Sequence, residues 1–235
     1  MPSTTDLARQ ALAAARRVRI ASGASAETPI CIFDLIQAHY GAEIDLRFQA
    51  ASSLEGLYVR GSGEPSLIIV SSLRPSGRQR LTCAHELGHH EFGHGTRLDE
   101  LPLDGEARRF DPNEFLADCF AGFLLMPKLA VLKAFATRGL TAPTASPIEI
   151  YRVASLFGVG YATLVQHLSR TLNVMSTSRA TELSKATPKR IREDVLGTAS
   201  AGTLHLVDSK WEGRAVDVHV GDYLMLPTST TVEGG

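Results

Sequence analysis

The residues best placed to do chemistry form a short cluster, His85-Glu86-Leu87-Gly88-His89, within a stretch of helical pattern. A spacing of four residues puts the two imidazoles on the same face of a helix, where both can bind one divalent metal ion. Glu86 lies between them and can reach a water molecule beside that ion. One helix therefore offers two metal ligands and a general base, which together can support hydrolysis.

A hydrolytic zinc site takes three protein ligands and keeps one position open for water, so a third ligand must come from elsewhere. One known solution is a histidine six residues after the second, but Gly95 occupies that position and His94 comes one residue early. The other solution is a glutamate on a second helix, with an acidic side chain one turn later that accepts a ring proton from a ligating imidazole. Glu114 and Asp118 have this spacing and share a helical face.

We therefore predict that His85, His89 and Glu114 bind one zinc ion and that Asp118 orients a ligating imidazole through a hydrogen bond. Glu86 is predicted to take a proton from the metal-activated water and to pass it later to the leaving amine. In the simpler alternative, the first helix lies on the surface and its His-Glu-His pattern only carries charge. The presence of both halves of the pattern favours the metal site.

Four neighbouring side chains have simpler predicted roles. His90 and His94 are expected at the helix end, with His94 satisfying the last carbonyl groups, and contact with a substrate is the alternative for both. Cys83 and Cys119 flank the proposed site residues and are expected to be small buried apolar groups, with sulfur ligation as the alternative.

At this point the chain resembles the ImmA/IrrE family of bacterial metallopeptidases. The resemblance rests on residues 78–94, on Glu114-x-x-Ala117-Asp118-x-Phe120-Ala121 and on Leu124-Leu125-Met126-Pro127. Asp118 stands where the family usually has Asn, and aspartate also accepts an imidazole proton while adding negative charge near the metal. The resemblance extends over about residues 30–175. It implies a zincin-like core, one zinc ion and cleavage of an intracellular protein that is often a helix-turn-helix repressor.

The composition fits an intracellular globular enzyme. With 235 residues, of which 44% are hydrophobic, the chain can form one core and a smaller second module. A formal charge of −1 argues against a broad surface for binding polyanions. No apolar run is long enough to predict a membrane span. The odd number of cysteines without CxxC spacing is typical of a reducing compartment, so we predict a cytoplasmic location.

The N-terminal half is predicted to place helices around a sheet. A first helix is expected from Asp6 to Ile20, capped by Thr5 or Asp6, with a transit peptide as the alternative reading of this basic segment. A second helix is expected from Thr28-Pro29 to about Tyr40.

Three runs of β character follow, at residues 43–49, 54–60 and 66–71, and they predict a small antiparallel sheet behind the metal helix. An edge strand of this sheet could pair with an extended peptide. Residues 96–112 are predicted to form a loop that is either a substrate gate or a mobile connector.

The C-terminal half predicts a helical unit and a β-rich tail. A helix is expected from Pro127 to Arg138, and residues 148–172 have a helix-turn-helix pattern whose second helix offers Gln166, His167 and Arg170 to the surface. This face offers few side chains that could contact DNA bases, so a structural or partner-docking role is favoured and direct DNA binding stays an alternative.

In the tail, β runs are predicted at residues 203–207, 215–220 and 223–226, with Gly221-Asp222 as a hairpin turn. The sequence thus predicts an α+β fold with three parts. These are a zincin-like domain at 1–140, a helix-turn-helix-like unit at 141–178 and a β-rich segment at 179–235.

The predicted function is cleavage of a regulatory protein by a zinc endopeptidase, with a helix-turn-helix repressor as the implied substrate and a role in transcription regulation or a stress response. The first alternative is a metal-responsive transcription regulator that binds DNA through residues 148–172. The second is an adaptor that sequesters a repressor without cutting it. No membrane partner is expected, and the sequence predicts no oligomeric state.

Overall fold

The structure is a computed structural model that describes residues 2–100, 110–199, 201–211, 216 and 218–227. The chain divides into two units, Met1–Ala130 and Val131–Gly235. Both units contain helices and paired strands, so the predicted α+β class is confirmed. The predicted boundaries near residues 140 and 178 stay predictions.

The first unit contains a mixed sheet. Its strands are β1 Ile44–Gln49, β2 Leu54–Val59, β3 Ser66–Ser71 and β4 Arg97–Glu100. Their order is β1-β3-β2-β4, and β2 runs antiparallel to both of its neighbours whereas β1 runs parallel to β3. The prediction of a wholly antiparallel sheet is therefore wrong. Successive strands reverse direction, so the first and third run the same way and form a parallel pair once β3 takes the place between β1 and β2.

The inner position of β3 follows from its apolar sequence. Its run Leu67-Ile68-Ile69-Val70 is flanked by partners on both sides, and Ile68 and Val70 are fully buried. The strand β4 lies at the edge of the sheet opposite β1. It was not predicted, because its four residues fall inside the expected loop at 96–112. The expectations of a gate or connector concern residues 101–109, which lie outside the described residues.

Within the described part of the chain, five helices lie between residues 4 and 136. They are α1 Thr4–Ala21, α2 Ile32–His39, α3 Ser76–Glu91, α4 Pro112–Leu125 and α5 Lys128–Ala136, the last of which crosses the boundary between the units. Among the described residues, no single helix combines the length and the apolar composition that crossing a membrane would need.

The first two helices begin at residues other than those predicted. Ser3 caps α1, because Asp6 three residues later completes a reciprocal capping box with it. The helix α2 begins only after Cys31, whose backbone is extended. In the preceding segment, the Thr28 carbonyl accepts a hydrogen bond from the buried Arg19 guanidinium at 3.1 Å.

The second unit begins with the predicted helix-turn-helix. It comprises α6 Pro147–Phe157, α7 Tyr161–Gln166 and a π-helical turn at His167–Thr171. The two helical segments meet at 100°, and Gly158 makes the turn in the left-handed conformation with a φ of 62°. His167 is buried, so its predicted place on the exposed face of the second helix is wrong. The exposed positions of that segment are Ala162, Gln166 and Arg170.

The tail contains two further helices and a pair of short strands. These are α8 Thr177–Leu183, α9 Pro188–Leu196, β5 Leu204–Leu206 and β6 Tyr223–Met225. The two strands are parallel. The hairpin predicted at Gly221-Asp222 would join β6 to the run at 215–220 and not to β5, so this pairing does not test it. Asp222, just before β6, accepts a hydrogen bond from the Thr203 amide at 2.8 Å, and this bond aligns the starts of both strands. The predicted run at 215–220 falls partly outside the described residues.

Candidate metal centre

The helix α3 lies in the interior of the first unit and holds the His85-Glu86-x-x-His89 cluster. It packs against β2 and β3 on one side and against α4 on the other. Apolar residues Cys83, Ala84 and Leu87 are fully buried along it. His89 and Glu86 are fully buried as well, which excludes the alternative of a surface helix that only carries charge.

The helix α4 approaches α3 closely because Gly88 has no side chain. A Cβ atom at Gly88 would lie 3.0 Å from the Ala117 Cα atom and 3.2 Å from the Phe120 ring. The start of α4 is fixed by Asp111, whose carboxylate accepts a hydrogen bond from the Asn113 amide at 2.8 Å. Glu114 therefore sits in the first turn of α4, where the helix dipole favours a negative charge.

Three donor atoms converge between the two helices. The Nε2 atoms of His85 and His89 are 3.0 Å apart. The two carboxylate oxygens of Glu114 lie 3.3 Å from His85 Nε2 and 3.7 Å from His89 Nε2. Bonds of about 2.0–2.1 Å in a tetrahedral zinc site separate neighbouring ligand atoms by roughly 3.3 Å, so these residues fit one such ion.

Each imidazole of this donor set has a partner at its other ring nitrogen. The Nδ1 atom of His85 lies 2.9 Å from Asp118 Oδ1, in the arrangement predicted for an orienting carboxylate. The Nδ1 atom of His89 lies 2.8 Å from the Nδ1 atom of His94. This second contact was missed, because His94 was expected to satisfy carbonyl groups, with contact to a substrate as the alternative. Its backbone N–H does bond the His89 carbonyl at 2.9 Å, while its ring makes the additional contact.

Glu86 lies against β2, where α3 and this strand approach each other closely. A Cβ atom at Gly56 would lie 2.1 Å from the Glu86 Oε1 atom and 2.5 Å from the Thr82 Cγ2 atom. Gly56 thus leaves the room in which the Glu86 carboxylate sits. A glycine within a strand is a known sign of a close approach, so the sequence held a signal for this contact that was not used.

The charge states around the donor atoms suit a divalent cation. The neighbouring His85 and His89 imidazoles hold the pKa of Glu114 well below its usual range, so its carboxylate is ionised at neutral pH. Burial, together with the neighbouring His89 and Arg97, lowers the pKa of His94 to about 4, so its imidazole is neutral at the same pH.

The cysteines near the site do not join the donor set. Burial raises the pKa of Cys83 well above its usual value, and burial likewise raises the pKa of Cys119 to about 11. Among the described residues the ligand-type group contains only His85, His89 and Glu114, so neither thiol belongs to it.

His90 follows His89 in the chain but faces a different environment. Its ring lies between the rings of Tyr40 and Tyr58, with centroid distances of 5.8 Å and 5.9 Å. The Tyr58 hydroxyl is 3.3 Å from its Nδ1 atom, and Glu43 is 3.7 Å from its Nε2 atom. His90 therefore packs the end of α3 against Tyr40 and Tyr58 and does not belong to the donor set.

Comparison with known families identifies one match. The family profile described as the IrrE N-terminal-like domain of peptidase family M78 matches residues 42–169, which is more than half of the chain. All of the converging residues lie inside the matched range, namely His85, Glu86, His89, Glu114 and Asp118. No curated protein sequence matches the chain.

Proposed function

The chain belongs to peptidase family M78, and from this premise we propose that it is a zinc-dependent endopeptidase that cleaves a regulatory protein. The family supports a metallopeptidase, while zinc, internal cleavage and the class of substrate are part of the proposal. The observation that carries it is the convergence of the His85, His89 and Glu114 donor atoms at distances that fit one ion.

In the proposed mechanism, three side chains hold the ion and a fourth moves the proton. A bound zinc ion lowers the pKa of a water in its open position to about 7 and polarises the scissile carbonyl. Glu86 takes a proton from the attacking water as the water oxygen bonds to the carbonyl carbon. The same carboxyl group then gives that proton to the amine nitrogen as the C–N bond breaks. Asp118 keeps the His85 ring in one orientation throughout.

The sheet suggests how a protein substrate would lie. The strand β4 is at the edge of the sheet and pairs with β2, the strand whose Gly56 contacts Glu86. An extended peptide added along the outer side of β4 would use main-chain hydrogen bonds and would not demand one side-chain sequence. We propose that the substrate binds in this way.

A helix-turn-helix repressor is the proposed substrate class. Its support is the resemblance of residues 78–94 and 114–127 to a family that often cleaves such repressors. A cytoplasmic location belongs to the same proposal and is supported by three free cysteines. An intramolecular disulfide in protein isolated under non-reducing conditions would count against that location.

A metal-responsive transcription regulator is the second candidate. The 100° turn between the two helical segments of residues 147–171 favours it, because this geometry occurs in proteins that read the major groove. Footprinting with and without a chelator separates the candidates. Metal-dependent protection of DNA without any proteolysis would support the regulator and contradict the peptidase.

The proposed function is tested by replacing Glu86 with glutamine. Purified wild type, Glu86→Gln and the exposed control Glu64→Gln are incubated with a candidate repressor, and the products are identified by mass spectrometry. We expect Glu86→Gln to retain zinc and to lose cleavage by about 10²- to 10⁴-fold, the usual contribution of a general base. Cleavage by Glu86→Gln at the wild-type rate would overturn the mechanism.

A further inference from the structure

The imidazole of His94 lies directly behind one proposed zinc ligand, and neither the family match nor the predicted ligand set assigns it a role. We propose that His94 is a positioning residue that holds His89 in the tautomer needed to bind the metal. This inference rests on the proposed metal centre, and it concerns one residue outside the donor set.

The geometry of the His89 ring carries the inference. His89 is fully buried, and its Nε2 atom faces His85 Nε2 at 3.0 Å and the Glu114 carboxylate at 3.7 Å. Its Nδ1 atom faces His94 Nδ1 at 2.8 Å. A neutral imidazole carries one proton, so a lone pair at His89 Nε2 places the proton on Nδ1. His89 then donates to His94, and His94 accepts with Nδ1 and carries its own proton on Nε2.

Three local contacts fix the acceptor ring in this position. Gly93 has a φ of 63°, which turns the chain back over the end of α3. The backbone N–H of His94 then bonds the His89 carbonyl at 2.9 Å. The Phe92 ring stacks on the His94 ring at a centroid distance of 5.7 Å and an angle of 29°. The half-buried ring is therefore held against His89 from the backbone and from one face.

The position of His94 is that of a supporting group and not that of a fourth ligand. Its Nδ1 atom contacts the side of the His89 ring opposite the metal-facing Nε2 atom. The two ligand imidazoles thus have different supports. Asp118, whose side chain is 74% exposed, offers His85 a carboxylate, whereas His94 offers His89 a ring nitrogen. An imidazole acceptor fixes the tautomer and, unlike a carboxylate, brings no negative charge beside the ion.

The test compares removal of the acceptor with its replacement. His94→Leu removes it, His94→Gln supplies an amide oxygen in its place, and His39→Leu makes the same change at an exposed site on α2. Zinc affinity is measured by competition with a chromophoric chelator, without any cleavage assay. We expect about 10- to 100-fold weaker binding in His94→Leu, recovery to within about threefold of wild type in His94→Gln, and no change in His39→Leu.

A second measurement on the wild type does not depend on any variant folding. The ¹⁵N chemical shifts of the zinc-loaded protein report which ring nitrogens carry protons. We expect a protonated His89 Nδ1 and an unprotonated His94 Nδ1. A protonated His94 Nδ1, or His94→Leu that binds zinc as tightly as wild type, would overturn the positioning role. Equal losses in His94→Leu and His94→Gln would also overturn it. A wild type that binds no zinc would overturn the proposed function and this inference together.

Discussion

Two helix pairs, α3–α4 in the first unit and α6–α7 in the second, both pack closely. The side chains at their junctions differ, because those of the first pair are in part polar and those of the second are mostly apolar. In the first pair, Gly88 and Ala117 allow the backbones to approach. The space beside that contact holds the polar donor atoms of His85, His89 and Glu114. These are groups that bind metal ions, and they lie in the interior of the unit.

The α6–α7 junction is apolar. Phe157 on α6 and Leu164 on α7 are fully buried. The rings of Tyr151 and Tyr161 stack at a centroid distance of 6.4 Å, and the Tyr161 hydroxyl donates to the Leu183 carbonyl at 2.8 Å. The junction is thus filled by side chains of its own unit.

The difference between the two junctions indicates which of them would bind an ion. Two buried imidazoles and one half-buried carboxylate converge on one point of the α3–α4 junction, which is an arrangement that fits a bound ion. An apolar junction is stabilised by packing alone. We therefore propose the metal chemistry for α3–α4, whereas a structural or partner-docking role for α6–α7 stays a prediction.

The largest effect is expected from removing the imidazoles of both His85 and His89. The double variant His85→Ala/His89→Ala is expected to bind zinc at least about 10⁴-fold more weakly. A zinc-binding free energy of about 10–16 kcal/mol corresponds to roughly 3 kcal/mol per ligand, and this variant loses two ligands. Chelator competition measures the affinity. The matched control is His39→Ala/His219→Ala, at two exposed positions. Wild-type affinity in the first double variant would remove the basis of the metal assignment.

The next largest effect is expected in the second unit. Phe157→Ala should lower the free energy of unfolding by about 3–5 kcal/mol, because it leaves a cavity in the α6–α7 junction. Zinc affinity of the folded variant should not change, since the donor residues His85, His89 and Glu114 lie on α3 and α4. Chemical denaturation and chelator competition measure the two quantities, with exposed Leu129→Ala as control. Loss of zinc binding in folded Phe157→Ala would show that the junctions do not have separate roles.

A smaller effect is expected from adding one methyl group at the α3–α4 contact. Gly88→Ala puts a Cβ atom 3.0 Å from the Ala117 Cα atom, so the helices must separate slightly. We expect a loss of about 1–3 kcal/mol in unfolding free energy and about 10- to 100-fold weaker zinc binding. In Gly95→Ala, where a Cβ atom would meet nothing within 4 Å, both quantities should stay at wild-type values. Unchanged zinc affinity in Gly88→Ala would mean that the close approach does not position Glu114.

The smallest effect is expected on the exposed face of the helix-turn-helix. Gln166→Ala/Arg170→Ala should change the free energy of unfolding by less than about 0.5 kcal/mol. It should leave both zinc affinity and peptide cleavage intact. Denaturation, chelator competition and a gel-shift assay test this. A wild type that binds one DNA sequence specifically, and a variant that loses that binding, would give α7 a functional face and contradict its structural role.

The sequence predicted those features that depend on local spacing. His85, Glu86 and His89 share one helix, and Glu114 and Asp118 share another, so helical periodicity alone places each set on one face. The meeting of the two sets required a tertiary contact, and the paired motifs supplied the reason to expect it. The outcome is the donor cluster between α3 and α4.

The features that were missed depend on contacts between distant residues or on the path of a turn. The parallel pairing of β1 with β3 reflects the order of strands in space, which no local pattern specifies. The strand β4 has only four residues and pairs with a segment some forty residues earlier. The His94 ring reaches His89 only because Gly93 adopts a left-handed conformation, and a glycine before a histidine does not by itself predict that contact.

The most direct test of the metal assignment is a crystal structure of the zinc-loaded protein with anomalous diffraction recorded at the zinc edge. We expect one anomalous peak per chain, at about 2.0–2.2 Å from His85 Nε2, His89 Nε2 and a Glu114 carboxylate oxygen, with a further position open to water. A zinc peak bound elsewhere, or a Glu114 side chain turned away from the two imidazoles, would contradict the account.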